Sequence, residues 1–312
     1  MPPPPVSANA TVVVRNVSKS FGALVAVSDV SFAIEPGVTA LLGPNGAGKS
    51  TLLRIMCGLT KPSKGSVSIA GGNPRTDAAA RSRVGLVPQQ DGVFERESLY
   101  DFVNLAAVLN GVADREAAVS RALQAVELDP DLDRPLGAFS KGMRQRAKIA
   151  AALVHNPAVL ILDEPLNGLD PKQRRQMIEL FHRLGEAGCT VVVSSHVLDE
   201  VERFGTRVLV LAKGRLAAQG DFRAIRGLMN DQPLTYRIGC SEPRALVAQL
   251  VTEGLIGGCT IIDANAAEIT TTDAIGFRTR LPAICSAHSI RLEELSPLDA
   301  DLESVFRYLV GP

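Results

Sequence analysis

Gly43-Pro44-Asn45-Gly46-Ala47-Gly48-Lys49-Ser50-Thr51 is the stretch whose reading decides the fold. It fits G-x-x-x-x-G-K-[ST], and its flanks matter as much as the match. Before it, Val38-Thr39-Ala40-Leu41-Leu42 is an apolar run of the kind a buried parallel strand shows. After it, Leu52, Leu53, Ile55 and Met56 recur at helical spacing. Strand, glycine turn and helix start together make an anion cradle. Glycines let backbone amides wrap a polyphosphate, and the open N–H groups of the helix start complement its charge. In such a cradle Lys49 reaches the β/γ-phosphates and the Ser50 hydroxyl ligates Mg²⁺. The stretch predicts a nucleotide site.

Composition sets the frame around it. A chain of 312 residues is expected to form one large domain with a smaller one, or two of moderate size, and 46% apolar residues suffice for a real core. Lys+Arg and Asp+Glu both number 33, so no charge bias points to nucleic acid, and the lack of Trp argues against a base-stacking platform. Five scattered cysteines without C-x-x-C spacing predict neither a zinc site nor a disulfide framework, which fits a reduced, cytoplasmic setting. No apolar run approaches the ~20 residues that span a bilayer. Met1-Pro2-Pro3-Pro4-Pro5 is no secretory signal, and residues 1–10 are read as a disordered tail.

In chain order, Thr11 to Arg15, Val30 to Ile34 and Val38 to Leu42 read as strands, with breaks at Gly22 and Pro36-Gly37. Ser66 to Ile69 and Val84 to Val87 follow. From Ser98 to Asn156 helical spacing takes over, a helical insert within an α/β core. Strand Ala158 to Leu162, a helix from Pro171, strand Thr190 to Val193, a short helix and strand Arg207 to Leu211 then resume the alternation. Alternating strands and helices predict a mostly parallel sheet covered on both faces. Past Gly220 the order β-α-β-β-α-β, with an added helix over Leu302 to Val310, predicts a ferredoxin-like module.

Two acids close the strand that ends at Leu162. A carboxylate at a strand tip beside the phosphate loop can hold Mg²⁺ through its water shell, which suits Asp163. Its neighbour Glu164 can orient or deprotonate an attacking water. Phe139-Ser140-Lys141-Gly142-Met143-Arg144-Gln145-Arg146 leads into another helix, and Ser-x-Gly at a helix start is a second anion-binding end.

With these stretches in order, the chain from about Thr11 to Gly220 resembles the nucleotide-binding subunit of an ATP-binding cassette (ABC) transporter. That family's signature, Leu-Ser-Gly-Gly-Gln, lies just upstream of the Asp-Glu strand. Here Phe139, Lys141 and Met143 depart from it, and Ser-Lys-Gly-Met resembles the form common in export-type cassettes. The resemblance implies the α/β fold of a P-loop NTPase cassette. Its parts are a mostly parallel sheet core, an antiparallel β part and a helical insert, here with a small α+β C-terminal domain. The expected bounds are 11–222 for the ATP-binding domain, about 91–157 for the helical subdomain and 230–312 for the accessory domain.

The resemblance also assigns roles. Gly43, Pro44, Asn45, Gly46, Ala47, Gly48, Lys49, Ser50 and Thr51 bind ATP, and Ser50, Gln89 and Asp163 hold Mg²⁺. Glu164 is the base, with His196, Gln89 and Lys49 as catalytic partners. His196 looks like the switch histidine that bonds the γ-phosphate. Gln89 resembles the hinge glutamine, with Gln90 next door as the other candidate. Ser140 and Gly142 contact the γ-phosphate held by a partner subunit, and Asp170, in Asn167-Gly168-Leu169-Asp170, contacts across the dimer. Phe21 resembles the aromatic that stacks on adenine.

The chemistry expected is in-line attack of water on a γ-phosphate. The expected protein is an ATPase homodimer, without nucleic acid and without a membrane span of its own. It powers an exporter through a separate permease at the inner face of the cell membrane. The alternative is a non-transport cassette ATPase acting on ribosomes or DNA, and a third option is a regulatory module without turnover. For the C-terminal domain, dimer support or regulation is expected.

Overall fold

Each apolar run flanking the phosphate loop takes the element its spacing predicts. The first unit of the chain, Met1–Gly220, begins β1 (Val12–Phe21), β2 (Leu24–Ile34), β3 (Gly37–Leu42), α1 (Lys49–Met56), β4 (Lys64–Ile69), α2 (Ala78–Arg81) and β5 (Val84–Val87). Helices α3 (Leu99–Leu109), α4 (Arg115–Ala125) and α5 (Lys141–Leu153) come next. They are followed by β6 (Val159–Leu162), α6 (Pro171–Glu186), β7 (Thr190–Ser195), β8 (Arg207–Ala212) and β9 (Arg215–Asp221). This computed structural model describes residues 9–298 apart from 91, 131, 133, 198–199, 201–202, 205–206 and 222–233.

The core sheet has the order β5-β6-β7-β3-β8-β9. The pairs β3·β7, β3·β8, β5·β6 and β6·β7 are parallel. Every residue of β6 and β7 is buried. That explains the apolar runs Val159–Leu162 and Val191–Val193 within them, since both faces of such a sheet are covered. Register sets Leu42 beside Ser195 and Leu162 beside Val193, so the carboxyl ends of β3, β6 and β7 share one edge. Ligands of open α/β sheets gather at that edge.

A second sheet, antiparallel and ordered β2-β1-β4, packs over α1. One apolar cluster joins it to the core, with Val14 and Phe32 meeting Leu41, Leu53 and Val192. The hairpin strands are longer than the apolar alternation predicts. The β1·β2 register shifts between Val14 and Val17 and again before Lys19, and Asn16 takes φ 47°. Each bulge resets which face a residue meets, so the alternation breaks while the pairing continues.

The helical insert packs α3, α4 and α5 against one another. Ser98 caps α3, accepting from Asp101 N at 3.0 Å and donating to Asp101 Oδ2 at 2.7 Å. Just past α5, His155 lies with Nε2 3.3 Å from the Val84 carbonyl oxygen. Burial pushes its pKa below the usual 6.5, against a smaller upward pull from that carbonyl. The unfolded chain therefore binds a proton that the folded chain resists. This contribution is whole above pH 6.5 and is lost as pH falls through the depressed folded value, at no more than about 1.4 kcal/mol per pH unit for one site. Thermal melts from pH 7.5 down to 5 are expected to show a decline that His155→Asn blunts. An equal decline in that variant would assign the effect to other groups.

The second unit, Asp221–Pro312, contains β10 (Leu234–Cys240), α7 (Pro243–Thr252), β11 (Gly258–Ile261), β12 (Ala266–Thr271), α8 (Ala274–Ala287) and β13 (Leu292–Pro297). Its sheet is antiparallel with order β11-β12-β10-β13, the split β-α-β arrangement. Tyr236 and Phe277 rings, 5.2 Å apart, anchor its own core with Ile238, Leu246 and Leu281. All five cysteines are free thiols. Burial raises Cys57 to about 12 and Cys189 to about 11, so both stay protonated and inert at neutral pH. The helix expected over Leu302 to Val310 lies outside the described residues. So do residues 1–8 of the tail and part of the short helix after Ser195.

Candidate active site

The loop enters α1 through Gly48, the helix N-cap, at φ 99°, and no side chain caps the helix. A Cβ on Gly48 would stand 2.3 Å from the Ala26 carbonyl oxygen, which is backbone and cannot move aside. Only glycine fits there. Gly43 N donates to Ser195 O at 3.3 Å, and Gly214 N donates to Ala47 O at 3.0 Å. The loop is thus pinned to β7 and to the turn between β8 and β9. Pro44 to Thr51 line a cavity of about 350 Å³ whose other walls include Phe21, Ala26, Gln89 and Glu164.

Lys49 is 6% exposed. Its Nζ donates to the carbonyl oxygens of Gly43 at 2.6 Å and Pro44 at 3.2 Å, and lies 3.3 Å from Glu164 Oε1. A buried ammonium needs such partners, because desolvation otherwise outweighs the attraction. The other oxygen of Glu164 accepts from His196 Nδ1 at 2.7 Å and from Asn167 Nδ2 at 3.2 Å. A carboxylate only accepts, so this contact puts a proton on His196 Nδ1.

The backbone behind the two acids is fixed as well. Glu164 takes φ 52°, outside strand geometry. Its N–H donates to Ser194 Oγ at 2.8 Å, and that hydroxyl donates to Asp163 Oδ1 at 2.7 Å. One buried hydroxyl therefore sets both acids. Sequence reading passes over Ser194, because a serine ending a strand carries no spacing signal.

Ser50, Gln89 and Asp163 line an adjoining cavity of about 450 Å³ together with Gln90. Gln89 lines both cavities, whereas Gln90 lines only this second one. Hydroxyl, amide and carboxylate oxygens are the hard donors that Mg²⁺ takes alongside phosphate and water. Among the described residues no three His, Cys, Asp or Glu side chains cluster as a metal cage. The donor set fits Mg²⁺.

Phe21 ends β1, is 52% exposed at the cavity wall, and carries Lys19 Nζ 4.7 Å above its ring. An exposed ring at the mouth of a nucleotide cavity can take a base on its face.

The remaining sequence candidates lie elsewhere. Ser140, Gly142 and Asp170 are not among the residues lining either cavity. Ser140 is exposed and caps α5, accepting from Met143 N at 3.2 Å. Asp170 is exposed and caps α6, accepting from Gln173 N at 2.8 Å. Gly142 is buried, and a Cβ there would meet Gln173 Oε1 at 2.3 Å and Leu169 at 3.2 Å, so this glycine also serves packing inside the chain. One cluster is assembled around the phosphate loop, and the starts of α5 and α6 lie outside it.

The sequence pattern of the family described as "ABC transporter" matches residues 27–167. The Nod factor export ATP-binding protein I of Burkholderia lata is 40% identical over 212 residues, 66% of this chain and 69% of that protein. The linearmycin resistance ATP-binding protein LnrL of Bacillus subtilis is 29% identical over 304 residues, 95% of this chain and 97% of its own. That likeness runs through both units. Among solved structures, the dimeric ATP-binding cassette MJ0796 in a post-hydrolysis state with ADP and Pi superposes with a TM-score of 0.62. It is 29% identical and covers 68% of this chain and 99% of that one.

Proposed function

The chain belongs to the ATP-binding cassette transporter family, as an ATP-hydrolysing subunit, and from that premise we propose that it powers export through a separate membrane permease. The observation that carries the residue roles is Glu164, held between Lys49 at 3.3 Å and His196 at 2.7 Å beside the phosphate-loop cavity.

ATP lays its phosphates on the amides from Gly46 to Thr51. Lys49 then exchanges Glu164 for phosphate oxygens, and Glu164, still held by His196 and Asn167, turns to a water. The water oxygen attacks the γ-phosphorus in line as the bond to the bridging oxygen breaks, and its proton passes to Glu164. Ser50, Gln89 and Asp163 would hold Mg²⁺, which neutralises charge on the phosphates. Ser140, Gly142 and Asp170 belong to the face a second copy completes, so the working form is a homodimer. The C-terminal unit supports that dimer or regulates it.

Among the described residues no helix is long and apolar enough to cross a membrane. In the proposed exporter the spanning part is the separate permease, which this subunit meets at the inner face of the cell membrane. The segment from Val93 to Phe102 and the face of α3 are suited to meet it. Phe94, Leu105 and Val108 are exposed and line a groove of about 460 Å³ with Glu97 and Asp101. Nothing favours the alternative, a cassette acting on ribosomes or DNA.

Phosphate release by the purified chain, with Mg²⁺ and then with a chelator, tests the hydrolytic assignment, and no release with Mg²⁺ would overturn it. For the permease, Leu105→Asp is expected to lower recovery with the cell's membranes by about tenfold, since a buried charge disrupts an apolar contact. Recovery equal to that of the unaltered chain would remove this face from the interface.

A further inference from the structure

Lys148 lies on the buried side of α5, where helical spacing calls for an apolar residue, and it is only 5% exposed. Its Nζ donates to the Pro88 carbonyl oxygen at 3.0 Å and to the Gln90 carbonyl oxygen at 2.9 Å. Those carbonyls bracket Gln89. Pro88, Gln89 and Gln90 are all exposed, so water could satisfy the same carbonyls without a lysine. Burying an ammonium for this purpose costs desolvation that an alanine at this position would avoid.

Below the loop is a cavity of about 290 Å³ lined by Pro88, Phe102, Ala106 and Lys148. Two charged hydrogen bonds tie the loop to α5 beside this cavity. At its start α5 carries Ser140 and Gly142, about 12 Å along the axis from Lys148 at 1.5 Å per residue. Both points lie on the one continuous 13-residue helix, with eight residues from Lys141 to Lys148 joining them as a rigid rod.

We propose that Lys148 is a positioning residue that ties the Gln89 loop to α5 and so holds the Gln89 side chain in place for turnover. The proposal rests on the hydrolytic reading of Gln89. ATP binding to the phosphate loop itself does not pass through Lys148.

The test compares Lys148→Met and Lys148→Arg with the unaltered chain. Met is expected to lower kcat about tenfold, the scale of losing hydrogen bonds to a charged group, with KM for ATP changed less than about twofold. Arg, which can reach both carbonyls, is expected to restore kcat to within about threefold. The chain contains no Trp, so Gln90→Trp supplies a single fluorophore in the loop, read in all three backgrounds. Without nucleotide, its anisotropy is expected to fall with Met and to hold with Arg.

An unchanged kcat with Met, or matching losses in Met and Arg together with a lowered Tm, would overturn the proposal. If the unaltered chain hydrolyses no ATP, the functional reading fails, while the anisotropy still decides whether Lys148 holds the loop.

Discussion

Glu164→Gln is expected to cut steady-state phosphate release by about 10²–10³-fold while leaving ATP bound. The amide keeps the shape of the side chain and can still accept from His196 Nδ1, now 2.7 Å from Glu164 Oε2. It cannot take a proton from water. The substitution also neutralises the partner of Lys49, a pair in which both side chains are at least 94% buried. Lys49 is then released toward phosphate rather than held by a competing carboxylate, so affinity for ATP should not fall. Two copies locked around unhydrolysed ATP should elute from gel filtration at twice the monomer mass. A variant that turns over at the unaltered rate would show that some other group accepts the proton.

The second large effect needs two inactive variants in one tube. Lys49→Ala removes the ammonium that spans Gly43, Pro44 and Glu164. Ser140→Arg fills the exposed start of α5, which lies outside the phosphate-loop cavity. Each alone is expected to be dead in a symmetric dimer, because both of its composite sites carry the lesion. In a mixed dimer the two lesions fall on the same site, and the other site is whole. An equimolar mixture should recover about a quarter of normal phosphate release by random pairing, if one intact site suffices. A mixture as inactive as its components would show that Ser140 does not complete a partner's site.

The sequence disclosed whatever is local. The loop at Gly43, the acids after Leu162 and the helices capped by Ser140 and Asp170 can all be read from spacing, because a turn, a strand end or a cap is decided within a few residues. What escaped depends on pairing or on distance. The hairpin of β1 and β2 is under-read because its bulges break the alternation. Strand β9, Arg-Leu-Ala-Ala-Gln-Gly-Asp, has no apolar period and owes its pairing to the Lys213-Gly214 turn, where both φ values are positive. Ser194 and Lys148 act on partners 31 and 60 residues away. A lysine in a helix ordinarily reads as solvated, and the one available hint was its place among Ala147, Ile149 and Ala150. Gln89 and Gln90 likewise differ only in the folded chain, where Gln89 lines both cavities and Gln90 the second alone.

The central place of β3 in its sheet has a consequence for how the protein is born. Its two neighbours are β7 and β8, so the strand that delivers the phosphate loop waits unpaired on both sides until Thr190–Ser195 and Arg207–Ala212 have been synthesised. At 5–20 residues per second that wait is on the order of ten seconds. All of α3, α4 and α5 are made in the interval, and their mutual contacts are local enough to form first. The nucleotide cradle, among the earliest segments to be translated, is thus among the last to be completed. Until then a bare apolar strand, Val38 to Leu42, is the segment of the nascent chain most in need of protection from aggregation.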